Sequence, residues 1–343
     1  VFDGTRARNT LRLDVDGLRG HALSTRLSGG LTDGPGWAGQ LESLEVKGAF
    51  PVKLLAPAPL QLSQDRVSLG RAELRGGAGG RYLFEETRWE TRNLVARGRV
   101  TGIQVGLILD PATRNVQSKG DSLTVGGEWD VVIGEKADGF VRFFREKGDL
   151  VLQGDVPVQL GLDDLQLTVS AAASRLAFGF SAHGSQLGRL AGAGSALLER
   201  TADGSIRLVP GAPLLGSASL DMPSIAWAGP LADQNLKTGG SLKGEFTLAG
   251  TPARPETAGR IRGEKLDFLM ADQGLHLSGG TLVAEFNREV LRTDEFSFVS
   301  PNRVKPRESR IDVARLTRQP GTLNASGSMQ LASGDGRFTF KAE

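Results

Sequence analysis

Apolar and polar residues alternate along most of the chain with a period of two. In residues 241–250 the even positions hold Leu242, Gly244, Phe246, Leu248 and Gly250, and the odd ones Ser241, Lys243, Glu245 and Thr247. That period predicts a strand with one dry and one wet face. Thr251-Pro252-Ala253-Arg254-Pro255 breaks it, because proline fixes φ and cannot donate to a ladder. Alternation resumes with Gly259, Ile261 and Gly263 against Arg260, Arg262 and Glu264. Leu266 and Phe268 follow, then a turn at Ala271-Asp272-Gln273-Gly274 and a strand carrying Leu275 and Leu277. Gly279-Gly280 predicts a further turn before Leu282, Ala284 and Phe286, and Phe296 and Phe298 close the set.

The same grammar runs through the rest. Leu11, Leu13 and Val15 alternate with Arg12, Asp14 and Asp16, and Leu23 and Leu27 carry the next strand. The parity change between Leu41 and Leu44 predicts a bulge or short turn. Pro51, Pro57 and Pro59 confine their segments to edges or strand starts. Residues 126–133, 139–144, 149–154 and 160–169 read as further strands. Residues 188–198 are rich in Ala and Leu, but Gly192 and Gly194 each cost a helix about 1 kcal/mol, so a strand is expected there too. In all, about twenty short strands and no amphipathic helix are predicted, spaced as in meandering all-β proteins. A sandwich of that size is unusual, since open sheets beyond about ten strands curl or split. The expected fold is all-β: one long, coiled, mostly antiparallel sheet whose dry faces share a trough. It forms one continuous segment over residues 1–343, with sub-blocks at about 1–122, 123–235 and 236–343.

Composition removes several function classes. Forty-one Lys+Arg face 39 Asp+Glu, a net charge of +2, so no electrostatic case exists for a nucleic-acid partner. Cysteine is absent, which rules out disulfides and thiolate metal sites and suits a bacterial envelope protein. There is no initiator Met, no signal peptide and no apolar run near the ~18 residues of a membrane helix. The chain reads as a piece of something longer.

Candidate chemistry is sparse. His21, His183 and His276 lie far apart without neighbouring ligand sets. No serine has glycine two residues away on both sides, so the nucleophile elbow is missing. Gly-Lys never occurs, which removes the phosphate loop. Asp14-Val15-Asp16-Gly17 has a fragment of a calcium-loop pattern but reads better as a strand end with an Asp-Gly turn. Glu85-Glu86 and Asp163-Asp164 are adjacent pairs that a strand would point opposite ways, poor for joint acid–base work. The basic segment 301–318 could meet phosphate headgroups or an acidic partner, but its acids and prolines favour a solvated loop. Gly244, Gly250, Gly259 and Gly263 on the dry faces either permit coiling or a bulge, or leave room for a guest. No catalytic residue, metal ligand or cofactor site is expected, and the chain reads as no enzyme.

One resemblance goes further. The run from Thr238-Gly239-Gly240 through Leu242, Gly244, Phe246, Leu248 and Gly250-Thr251-Pro252 continues with Gly259, Ile261, Gly263, Gln273-Gly274-Leu275 and Gly280-Thr281-Leu282. It resembles the periplasmic portion of the TamB family, whose wider relatives are the AsmA-like proteins. Trp37-Ala38-Gly39-Gln40-Leu41, Pro57-Ala58-Pro59-Leu60, Val67-Ser68-Leu69-Gly70 and Trp89 before Arg92-Asn93-Leu94 are similar as well. So are Gly127-Glu128-Trp129-Asp130, Gly148-Asp149-Leu150 and Leu160-Gly161-Leu162, which extends the resemblance over most of the chain. It implies a U-shaped sheet with a greasy groove, a β-taco, in a parent anchored in the inner membrane and crossing the periplasm. It also implies carriage of phospholipid between inner and outer membranes, and support of outer-membrane protein and autotransporter assembly. The implied partners are phospholipid acyl chains, the membranes at both ends of the parent and a TamA-like outer-membrane barrel, the last met through a region outside these residues. On this reading the groove is lined by Leu242, Phe246, Leu248, Ile261, Leu266, Phe268, Leu275, Leu277, Leu282, Phe286, Phe296 and Phe298.

The competing reading is a strand-donating chaperone scaffold that offers a sheet edge to an outer-membrane strand without moving lipid. An extracellular β-solenoid would need a fixed short repeat, and none is present.

Overall fold

A computed structural model describes residues 1–17, 21–48, 51–106, 122–152, 157–202, 204–229, 233, 235–270, 272–301, 320–330 and 336–342. The basic segment 301–318 therefore lies outside the described residues, apart from Pro301. The chain is all-β. Among the described residues 23 strands hydrogen-bond into one sheet, and Val151–Leu152 pairs separately with Val158–Gln159. The ladders are antiparallel, while the isolated bridge between Ser122 and Asp149 is parallel. Two compact units result. The first takes Val1–Asp149, Gln166–Phe178 and Ala196–Val209, and the second Leu150–Leu165, Gly179–Ser195 and Pro210–Glu343.

In the first unit, strands Asn9–Asp16, Ala22–Leu31 and Gly36–Lys47 meander with Leu11 opposite Leu27 and Leu27 opposite Leu41. Directly opposed residues share a face, so this register carries one apolar face across the strands. Arg26 opposes Ser43 while Leu27 opposes Leu41, which leaves Glu42 as the extra residue of a bulge. This is the parity change between Leu41 and Leu44. Gly36–Lys47 then forks, pairing with Ala58–Ser63 along one stretch and with Val52–Leu54 along another. Leu41, Leu54, Ala58, Ala72 and Leu74 form a buried cluster here. Both branches rejoin on Arg81–Glu90, and Asn93–Gln104, Thr124–Ile133 and Ala137–Lys147 continue the ladder.

The second unit is a simpler meander. Residues 188–195 are strand, as the two glycines require, and pair with Leu215–Met222. Leu236–Thr251, Arg254–Met270, Leu275–Phe286, Val290–Ser300, Gly321–Gln330 and Gly336–Ala342 follow in order. Thr251 opposes Arg254, so Pro252-Ala253 is a two-residue hairpin turn. Gly279-Gly280 does not turn the chain. Strand Leu275–Phe286 runs straight through it, and the left-handed φ of +60° at Gly279 makes a bulge instead. The bulge puts Leu277 and Gly280 on one face despite their opposite parity, opposite Phe268 and Leu266 respectively. Lys265, at φ +52°, plays the same part in strand Arg254–Met270.

The outward faces carry charge. Lys243 meets Asp221 at 3.6 Å, Arg260 meets Glu285 at 3.4 Å, and Arg292 meets Asp294 at 2.6 Å. These pairs are exposed and screened by solvent, and their main effect is to keep that face wet. Asp14 shows the local electrostatics. Its carboxylate accepts from Ser24 Oγ at 2.6 Å and from Arg12 Nε at 2.7 Å, and these bonds, Ser24's first, hold its pKa below the usual carboxylate value. A lowered folded pKa gives stability present above the unfolded value and lost as pH falls through the folded one. Ser24→Ala is expected to move the Asp14 titration back up, as read by carboxyl NMR. An unchanged midpoint would deny the hydroxyl its role.

Candidate functional site

The twelve residues expected to line a groove all fall on one face of the second unit. Leu242, Phe246 and Leu248 oppose Gly263, Gly259 and Thr257, while Ile261 opposes Gly244 and Ala284. Leu282 and Phe286 oppose Gly263 and Gly259 from the other side, and Phe296 opposes Leu282. The register extends this face to residues the sequence reading did not place there: Ala218, Leu220 and Met222 on one side, Leu323, Met329 and Phe338 on the other. Alternation within each segment was visible, but only the cross-strand register joins the segments.

The twelve do not share one environment. Leu266 and Phe298 are only 2% and 1% exposed. With Ile225 they form a core against which Leu242, Phe268, Leu277, Leu282 and Phe296 pack. The cover comes from residues 223–229, which lap over the face at Thr238. The Ile225 amide donates to Gly240 O at 3.0 Å, and Thr238 Oγ1 donates to Ile225 O at 2.6 Å and accepts from the Gly229 amide at 2.9 Å. Leu266 and Phe298 are therefore filled by the chain's own side chains and present nothing to a guest, contrary to their expected lining role. Leu275 lies at the rim, 44% exposed, opposite Met270. Phe246, Leu248, Ile261, Leu282 and Phe286 are half-buried and form the open part of the face.

The dry-face glycines are not vacant seats. A Cβ on Gly259 would stand 2.6 Å from Phe286 Cε1 and 2.7 Å from Phe246 Cδ1, and one on Gly244 2.9 Å from Phe246 Cζ. Gly263 is covered by Leu266, Gly280 by Phe298, and Gly250 lies against the backbone of the Arg254 hairpin. Here the small residues let rings lie flat on the sheet, and the Phe246 and Phe286 centroids stand 5.8 Å apart. The first unit repeats the device, with the Trp37 ring over Gly29 and Gly39 and Phe143 over Gly127. The result is a smooth apolar floor rather than a row of holes.

His183 and His276 each lie beside one carboxylate. His183 Nδ1 lies 3.3 Å from Asp163, and Ser181 donates to Asp164 at 3.0 Å. Ser181 and His183 are two apart on strand Arg175–Gly184. Hydroxyl and imidazole are each tied to a different carboxylate, and His183 and Asp163 are open to solvent. Glu86 pairs with Arg97 at 3.1 Å, and the register skips Glu85, which sits in a bulge. His276 Nε2 meets Asp267 at 3.1 Å on the face opposite the phenylalanines. Among the described residues no group of three or more His, Asp or Glu side chains is arranged to hold a metal, and no helix is long and apolar enough to cross a membrane.

No family model matches the chain, and neither a curated protein nor a solved structure matches it.

Proposed function

We propose that this protein carries phospholipid acyl chains along the apolar face of its sheet, as a periplasmic bridge of the TamB/AsmA-like kind between inner and outer membranes, and so supports outer-membrane assembly. One observation carries the reading: large apolar side chains stay exposed in rows on one face. Leu11, Leu13 and Val15 are exposed together in the first unit, and Phe338 and Phe340 in the second, Phe340 at 68%. Among the described residues only Phe298 and Val100 of the larger side chains are less than 2% exposed. A soluble protein rarely leaves so much contiguous apolar surface uncovered without an occupant. Acyl chains fit because each methylene removed from water gains about 0.8 kcal/mol without directional demands. A floor of rings and aliphatic side chains suits sliding along the face rather than tight capture.

Native mass spectrometry of the purified chain tests this directly. Phospholipid adducts that survive gentle ionisation and disappear after delipidation are the expected result. A chain that is lipid-free from an envelope extract, and stays so after incubation with phospholipid micelles, sinks the proposal.

A further inference from the structure

One border of the first unit combines an apolar row with unneutralised cations. Leu31, Trp37, Leu62, Val67 and Trp89 are successive cross-strand partners. They therefore lie in line across five strands, about 19 Å at about 4.8 Å per strand. Leu31 is 51% and Trp89 48% exposed. Trp37 donates its Nε1–H to Asn9 Oδ1 at 2.9 Å, which fixes its ring in the row.

Two open surface depressions flank this row and share Ser63. The first, about 370 Å³, joins Arg6 to Leu31, Trp37 and Leu62. The second, about 580 Å³, brings Arg66 and Arg92 together with the carboxylates of Asp65 and Glu90. Arg66 is paired with Glu90 at 3.6 Å, but Arg6 and Arg92 form no ion pair among the described residues, and both are exposed. Arg6 lies in the turn beside Leu31, whose amide donates to Arg6 O, and Arg92 lies in the turn after Trp89. Arg6 thus stands at the Leu31 end of the row, and Arg92 flanks it at the Trp89 hairpin, where the apolar line continues through Leu94 and Ile133.

A greasy strip with a cation at its end is complementary to an amphiphile with an anionic head. The planar guanidinium fork matches a pair of phosphate oxygens, and tryptophan is suited to the boundary between apolar and wet surroundings. We propose that this border is a headgroup site for an anionic phospholipid, its phosphate held by Arg6 or Arg92 while its acyl chains lie on the row. The site rests on the lipid-carrying reading above and adds to it a place where headgroup charge is recognised.

The test compares phosphatidylglycerol with diacylglycerol of the same acyl chains, each titrated from neutral detergent micelles onto the intact chain. Arg6→Gln and Arg92→Gln are each expected to weaken phosphatidylglycerol binding about five-fold and leave diacylglycerol unchanged. Trp89→Ala should weaken both lipids alike, since it removes acyl contact only. Phosphatidylglycerol binding undiminished in the Arg6→Gln/Arg92→Gln double variant, or loss of both lipids together in it, overturns the headgroup site. If the unaltered chain takes up neither lipid, the lipid-carrying reading fails and the headgroup site falls with it.

Discussion

Phe298→Ala is expected to destabilise the second unit by about 3–5 kcal/mol, the usual range for emptying a fully buried phenylalanine site. Phe298 is 1% exposed, touches the rings of Phe268 and Phe296 at centroid distances of 5.4 and 4.8 Å, and lies over Gly280. Its ring is held between a glycine seat and the Ile225 segment, so the site collapses poorly once the ring is gone. Gly280→Val attacks the same packing from below, because its Cβ would fall inside the Phe298 ring. Overpacking of this kind costs about 1–3 kcal/mol. The two changes should not add. In the Gly280→Val/Phe298→Ala double variant the isopropyl group occupies part of the space the ring vacated, giving a favourable coupling of about 1 kcal/mol or more. Urea unfolding followed by tryptophan fluorescence measures all three. A loss below about 1 kcal/mol for Phe298→Ala would show that the site relaxes freely and is no core.

This core also marks where the sequence stopped being informative. Period-two alternation was enough to place Leu242, Phe246 and Leu248 on one face, and a parity slip marked a bulge or short turn between Leu41 and Leu44, which the register resolves as a bulge at Glu42. The turn expected at Gly279-Gly280 was wrong for a physical reason. A glycine at positive φ serves a turn and a bulge equally well, and only the pairing of Thr281 with Ser297 and of Ser278 with Val299 decides between them. The open and the filled parts of the face could not be separated either. What distinguishes Phe298 from Phe286 is a segment far away in sequence, residues 223–229, held down by the Thr238 hydroxyl. For the dry-face glycines, which read either as permitting coiling or a bulge or as room for a guest, Gly259 proves to be a bed for rings from its own and neighbouring strands, a cross-strand relation with no local signature. The charged outer face, by contrast, was legible in Lys243, Glu245, Arg260 and Arg262, since each alternates with an apolar neighbour in its own strand.

If the open floor carries lipid as proposed, a carboxylate placed on it should sharply reduce bound lipid while leaving the fold standing. Phe246 is half-buried and bordered by Phe286 and Gly259, so Phe246→Asp keeps its side chain in reach of water when the face is empty. The penalty falls on the loaded state, in which an acyl chain would have to cover and desolvate the charge. Removing the ring also strips apolar surface from the path, and each acyl methylene left in water there forgoes about 0.8 kcal/mol. The two effects together should reduce bound phospholipid at least about ten-fold. Leu248→Asp should act the same way one step along the strand. Thr247→Asp is the matched control, since Thr247 lies between them and points to the charged face. It introduces the same charge one residue away and should leave lipid content unchanged. Lipid extraction and quantification from the purified variants, with circular dichroism to confirm retained strand, provides the measurement. Equal lipid content in the Phe246→Asp and Thr247→Asp chains would mean that the two faces do not differ in function, and the open floor would then lose its role as the lipid path.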